Sequence, residues 1–434
     1  RNLSQIGYGD PVTITTTITD LDGMVTEVKL FYRENIGTYN ELIMSEISND
    51  LWQTTIPAQN DSSLIDFFIR AIDDDYNVTL SPEDTTKNRH FYLVLDRLLT
   101  IQDAQFSPFG GGSSGYENYE VTVNGIVTAD TSDIQGDGLN TGPAVYIQNG
   151  IGPWSGIWIS GTETFPLKRG DNITVTGVVE EYFNVTRIEG VDNPSNITIH
   201  SELNPLPEPE ALFPATIDLL SNGSIQAEQW ESVLIEYHDI IVTDENADGD
   251  ADSLFWISNF GEMLVAEITD PDLIETRIEL QDGTHSYHNF WEEGLDTIPG
   301  LIRLETEDTL EVIRGILFFS NENYKLIPRK DDDFDIITNV DDEILIKHYR
   351  VSQNYPNPFN PYTRIDYTLP EGGNVTFRIY NILGQVVQTI LNSIYNPAGK
   401  HSVMIDATNL PSGIYFYWFQ VNDFSRVKKM ILLK

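Results

Sequence analysis

The sequence predicts an all-β protein built from several bodies, and three observations carry that prediction. Helical periodicity is nearly absent, and short runs rich in Val, Ile, Thr, Tyr and Phe alternate with Gly, Asn, Asp and Pro turns along the whole chain. At 434 residues the chain exceeds one ordinary domain, and its length suggests three or four. Hydrophobic residues make up 40%, enough for real cores, yet no apolar run reaches the roughly 18 residues a membrane-spanning helix needs.

Residues 1–97 read as one immunoglobulin-like or fibronectin-like sandwich. Val12-Thr13-Ile14-Thr15-Thr16-Thr17-Ile18 alternates as a half-buried strand, and Asp20-Leu21-Asp22-Gly23 supplies a turn. Val28-Lys29-Leu30-Phe31-Tyr32, Trp52 and Phe67-Phe68-Ile69-Arg70-Ala71 continue the pattern. Asp73-Asp74-Asp75 ends it, as a solvated acidic turn in preference to a calcium site. The chain starts at Arg1 without a visible signal peptide, so a mature form or a fragment is expected, with an upstream domain left open.

Residues 98–340 contain an internal repeat, divided as 98–205 and 206–340. Val121-Thr122-Val123-Asn124-Gly125-Ile126-Val127 opens one copy and Val233-Leu234-Ile235-Glu236-Tyr237 the other. Each then passes an Asp/Gly loop and re-enters, at Val145-Tyr146-Ile147-Gln148-Asn149 and at Phe255-Trp256-Ile257-Ser258-Asn259. Gly177 and Gly315 keep a spacing of 138 residues, and so do Arg187 and Lys325. Pro205, Pro207 and Pro209 stiffen the connector. Gly125-Ile126-Val127-Thr128-Ala129, Tyr146-Ile147-Gln148-Asn149 and the run from Gly170 to Tyr182 resemble the OB-fold modules that accompany secreted bacterial nucleases and surface proteins. That resemblance implies two small Greek-key barrels.

After a linker at 338–350, residues 350–434 open with Asn354-Tyr355-Pro356-Asn357-Pro358-Phe359-Asn360-Pro361. They continue through Val375-Thr376-Phe377-Arg378-Ile379-Tyr380-Asn381 and Leu410-Pro411-Ser412-Gly413-Ile414-Tyr415, and end Lys428-Lys429-Met430-Ile431-Leu432-Leu433-Lys434. This series resembles the C-terminal sorting domain of proteins exported by the type IX secretion system. The resemblance implies an immunoglobulin-like sandwich, engagement with that machinery, and an extracellular or outer-surface location on a Gram-negative bacterium. It also implies removal of the domain after export.

The charge is lopsided. Residues 351–434 hold seven Lys/Arg and four Asp/Glu, net +3, which leaves 18 and 63 in residues 1–350, net −45. Solubility or a salty habitat accounts for this, and so would an acidic part that binds cations while the basic end meets an acidic subunit. Nucleic acid is an unfavourable partner, because such binding relies on Lys and Arg neutralising phosphates. Cysteine is absent, which excludes disulfides, thiolate metal sites and cysteine nucleophiles. Bound calcium is then the expected cross-link.

The best local motif for calcium is the loop from Asp244 to Asp252. Asp244, Asn246, Asp248 and Asp252 can point at one ion, with a backbone carbonyl from Asp250, because oxygen side chains fall on alternate positions and Gly249 allows the sharp turn. The loop resembles those of EF-hand and thrombospondin-type sites, but Phe255 stands where an EF-hand has its bidentate Glu. A solvated hairpin is the alternative, and mutual repulsion of five carboxylates favours the ion. In the first copy Asp130, Asp133 and Asp137 form a sparser loop, with calcium and a bare turn equally open.

His285 and His288, with Glu292 and Glu293, have the residue types of a transition-metal site, but adjacent Phe290 and Trp291 favour an ordinary packed loop. Tyr146, Trp154, Trp158, Tyr182 and Phe183 have the makings of a stacking face for glycan, although packing is the favoured use. No nucleophile elbow, Walker loop, HExxH or nuclease signature occurs, and Glu180-Glu181 is one acidic pair among many. The expectation is a non-catalytic, secreted structural or adhesive protein that self-associates or binds other surface proteins. The alternative is the glycan- or nucleic-acid-binding accessory region of a secreted hydrolase.

Overall fold

The computed structural model describes residues 1–86, 88–109, 112–134, 144–217, 225–247, 261–270, 273–289, 295–336, 349–351, 354, 357, 359–381, 384–422 and 424–433. It is nearly all β. The N-terminal body packs a three-stranded sheet against a five-stranded one. Val12 and Ile14 point inward from the first strand while its threonines stay more exposed, as period-2 alternation requires. They meet Val28, Leu30, Ile56, Ile65 and Tyr92 in one core.

The next five strands close on themselves. They are β1 (Glu120–Ala129), β2 (Val145–Gln148), β3 (Gly156–Ile159), β4 (Asn172–Tyr182) and β5 (Val185–Glu189). Around the barrel the order is β1-β2-β3-β5-β4 and back to β1, with β3 and β5 parallel and the other pairs antiparallel. A short helix, α1 (Ile101–Gln105), precedes β1, and a Thr100–Asp103 capping box starts it. Ile101 and Ala104 join Val123, Val127, Ile147, Ile157 and Val175 in the barrel interior.

A second barrel repeats the plan. Helix α2 (Ile225–Glu228) leads into β6 (Leu234–Asp244), β7 (Glu262–Glu267), β8 (Glu275–Glu279), β9 (Thr309–Ser320) and β10 (Asn323–Ile327). The order is β6-β7-β8-β10-β9 and back to β6, again with the third and fifth strands parallel. In both barrels the fourth strand is long because it serves two neighbours. β4 pairs β1 up to Val178 and β5 from Val178 onward. β9 pairs β6 up to Ile316 and β10 from Ile316 onward. A glycine sits just before each switch. A Cβ on Gly177 would lie 2.5 Å from the Glu189 carbonyl oxygen, and one on Gly315 would lie 2.3 Å from that of Ile327. The 138-residue spacing thus joins two positions where the chain passes too close to its neighbour for any side chain.

The C-terminal sandwich is built from β11 (Tyr362–Leu369), β12 (Gly373–Asn381), β13 (Val386–Asn396), β14 (Gly399–Asp406), β15 (Gly413–Val421) and β16 (Phe424–Leu432). Strands β11 and β14, with Arg350–Val351, form one sheet, and β13-β12-β15-β16 the other. Ile365, Phe377, Ile379, Tyr417, Phe419 and Leu432 fill the space between them. Among the described residues no helix is long and apolar enough to cross a membrane.

Candidate functional site

The aromatic residues singled out in the first barrel do not form an open face. In barrels of this closed order the surface over strands two and three, with the 1–2 and 4–5 loops, is where oligonucleotides and oligosaccharides bind. Here every residue of β2 and β3 is buried. Val145, Ile147, Ile157 and Ile159 point into the first barrel. Tyr146 and Trp158, paired across the two strands, point outward into a core shared with Trp230, Leu234, Ile316 and Phe318 of the second barrel. Gln148 accepts from the Leu234 N–H at 2.9 Å. A Cβ on Gly156 would lie 2.0 Å from the Ser232 carbonyl oxygen. Trp154 is buried too, its N–H donating to the Gln229 carbonyl at 2.6 Å. Only Tyr182, half-buried, and Phe183, exposed at the β4–β5 turn, remain near solvent.

The acidic loops divide between described and undescribed residues. Asp137, Asp248, Asp250 and Asp252 lie outside the described residues, as do Glu292 and Glu293. Asp130 accepts from Ser132 N and Oγ at 2.7 and 2.6 Å and from Arg169 N at 2.9 Å. Asp133 is fully buried, accepts from Asp130 N, and lies 2.9 Å from the Lys330 ammonium of the second barrel. These two carboxylates are therefore engaged by protein donors at the joint between barrels. Asp244 is exposed and accepts from Asn246 N at 2.9 Å. Glu245 between them turns away to Arg303 at 3.0 Å and Thr306 N at 2.9 Å. Among the described residues no group of three or more acidic or histidine side chains is placed to hold a metal ion.

His285 packs its ring 5.0 Å from Phe334, which stacks on Tyr287 at 4.0 Å. Burial lowers the His285 pKa below the ordinary imidazole value. His288 is buried. Phe290 and Trp291, the aromatics next to these histidines in the sequence, lie outside the described residues.

The second barrel carries charge on the surface that the first fills with aromatics. Glu262 and Glu279 face each other across β7 and β8, and Lys325 of β10 bridges them. Its ammonium contacts Glu262 and sits 2.8 Å from Glu279, while Arg277 contacts Glu262 from the other side. Burial opposes the Lys325 charge, but Glu279 and Glu262 outweigh it and raise its pKa. At the matching position of the first barrel, Arg187 stacks 3.8 Å over Tyr182 and 4.8 Å over Trp158, and bonds Glu180 at 2.6 Å.

Three further carboxyls gather where the barrels meet, and sequence reasoning missed them as a group. Glu181 comes from the end of β4, Glu228 from α2 and Glu231 from just past α2. Glu181 accepts from Ser114 N at 2.7 Å and Thr186 Oγ1 at 3.0 Å. Glu228 accepts from the Tyr324 hydroxyl. Glu231 accepts from Thr186 N at 3.0 Å, and the Gln105 amide is a second neutral partner. Burial pushes the Glu181 carboxyl up to about 7 and Glu228 up to about 8. Burial, then repulsion from Glu228 and Glu181, holds Glu231 well above the carboxylate range. A signal existed: no Lys or Arg occurs between Arg187 and Arg277, so acids in that stretch have no local cation.

The C-terminal sandwich docks on the second barrel through its lysines. Lys400 on β14 lies 2.9 Å from Glu267, and Lys428 on β16 contacts Glu210. A cleft of about 600 Å³ runs between the two bodies, with Phe213, Asp270, Arg364, Tyr367 and His401 among its walls. Two lysines of the basic end thus meet two carboxyls of the acidic body within one chain, although burial lowers the Lys428 pKa to about 7.

Comparison with known proteins bears on the C-terminal body most directly. Residues 353–433 match the family model of the secretion system C-terminal sorting domain. This segment is a type IX sorting domain, so the protein is one exported to the cell surface or the extracellular space, and the domain engages that machinery. Elsewhere the chain is 38% identical over 123 residues to endonuclease YhcR of Bacillus subtilis strain 168, a match spanning 28% of this chain and 9% of that protein. The chain therefore covers under a tenth of that relative's length. Among solved structures, the tetra-tandem repeat in the extending region of a large adhesion protein aligns over 98% of this chain and 96% of that one. Identity is 13% and the TM-score 0.17. The BSP domain of a biofilm associated protein aligns over 100% and 84%, at 11% identity and a TM-score of 0.15. Scores this low establish no shared fold.

Proposed function

We propose that this chain is a non-catalytic, exported β protein with a structural or adhesive role, whose two barrels are OB-type modules welded into one rigid unit. The closed 1-2-3-5-4 order with parallel third and fifth strands supports the OB reading. The single observation that carries the role is the covered surface of β2 and β3. Tyr146 and Trp158, with Ile134 and Ala144 from the described ends of the 1–2 loop, lie where such a barrel would take a strand or a sugar and are packed in a core shared with the second barrel. Purified chain should therefore show no saturable binding to single-stranded DNA, RNA or oligosaccharides at physiological salt. Saturable binding that Phe183→Ala or Tyr182→Ala abolishes overturns the reading. Self-association extends it: negative-stain images of native protein with calcium should show filaments or sheets, and isolated monomers alone remove that extension.

A second reading, the accessory region of a secreted nuclease, is favoured by the 38% match to an endonuclease. The net charge of −45 on residues 1–350 weighs against direct contact with nucleic acid. Nuclease activity in the native extracellular protein, with a mass larger than this chain, would support it.

Calcium remains our proposal for the 244–252 loop, on the alternate spacing of its oxygen side chains. Chelation should lower the melting temperature, and Asp248→Ala should blunt that shift. An unchanged melting temperature after chelating a calcium-loaded sample removes the proposal.

A further inference from the structure

We infer that the seam between the two barrels is a proton-held latch, closed while Glu181, Glu228 and Glu231 are neutral and loosened when they ionise. The geometry carries this. Glu181 belongs to the first barrel, and Glu228 and Glu231 to α2 and the turn after it in the second. Their donors among the described residues are neutral: Ser114 N, Thr186 N and Oγ1, the Gln105 amide and the Tyr324 hydroxyl. The remaining ionisable neighbour acting on them is Glu117, which adds negative field at Glu181. Among the described residues no Lys, Arg or His is a cause of the shift of any of the three. Arg187, one residue beyond Thr186, is held by Glu180. Glu231 is 1% exposed, and the partners it has, the Thr186 N–H and the Gln105 amide, are neutral. Burying one unpaired carboxylate costs several kcal/mol, and a group so placed takes a proton instead. Three ionised at once would add mutual repulsion across the contact they make.

The sign follows from linkage. These carboxyls hold protons in the folded chain at pH values where the unfolded chain has released them. Their contribution is full below about pH 4.5 and declines as pH rises through about 7 for Glu181 and about 8 for Glu228. His90 and His285, whose pKa values burial lowers, act in the opposite direction and only below the ordinary histidine value. Ordinary surface carboxylates are already ionised throughout this window.

The test is hydrogen–deuterium exchange of the full chain at pH 5 to 8.5, corrected for the intrinsic pH dependence of exchange. Amides of β4, β5, β9 and β10 should open at least about tenfold more readily at pH 8.5 than at pH 5, since one pKa unit corresponds to tenfold. Strands β12 and β13 of the C-terminal sandwich serve as internal control and should not follow; β16 is left out because burial lowers the Lys428 pKa to about 7. Glu231→Gln and Glu228→Gln, which mimic the protonated groups, should flatten the profile. If Glu231→Gln does not fold, Glu181→Gln provides the same readout. A flat wild-type profile, or glutamine variants with the wild-type slope, overturns the latch.

Discussion

Gly177 and Gly315 do the same work 138 residues apart. Each lets a long strand bend from one neighbour to the next, with a carbonyl where a side chain would begin. Gly315→Ala should destabilise the second barrel by about 1–3 kcal/mol, because the backbone must shift to clear the new methyl. Urea unfolding measures it. Lys325 is the second residue with a sharp expectation. Lys325→Met removes the buried cation that bridges Glu262 and Glu279. The cost should be about 3–5 kcal/mol, the usual result of removing one partner of a buried pair. Adding Glu279→Gln should recover part of it, and no recovery would mean that packing and not charge set the loss.

Strands β2 and β3 show why an element's two faces matter separately. Their inward residues close the first barrel, and their outward residues are the floor of the second. Trp158→Ala should therefore cost about 3–5 kcal/mol, as for other large aromatic deletions in cores. It should lower the unfolding midpoints of both barrels together. Intrinsic fluorescence and exchange on β8 and β10 would report the second barrel; a loss confined to β1–β5 would refute the shared core. This surface was only half legible in the sequence. Period-2 alternation marks Val145, Ile147, Ile157 and Ile159 as one face and Tyr146 and Trp158 as the other. It does not say what covers the second face, since an aromatic ligand platform and an aromatic interface look alike in a strand. The carboxyl seam was less legible still: Glu181 and Glu228 are 47 residues apart and meet only because two barrels dock.

At the scale of the molecule, the sorting sandwich is attached by charge as well as by the chain. Lys400→Glu with Lys428→Glu should undock it from Glu267 and Glu210 while its own core stays intact. Small-angle scattering should show a larger radius of gyration for the variant. Raising salt should expand the wild type partway, because Lys400 is about one-third exposed and screening reaches it. Scattering curves that superimpose would show that apolar contact alone holds the sandwich. The lopsided charge of the chain, read as solubility or as a contact between copies, is used here between two bodies of the same chain.

By itself the sequence determined the β class, the repeat with its paired glycines, and the export address. Each rests on local information: alternation with period two, turn residues, and a motif that runs the length of one small body. Tertiary structure alone decided which faces are spent on packing. It put Tyr146 and Trp158 into an interface, gave Asp133 a lysine from the other barrel, and brought three carboxyls together among neutral donors. Those outcomes depend on contacts between segments far apart in the chain, and a strand's outward face carries no record of its partner.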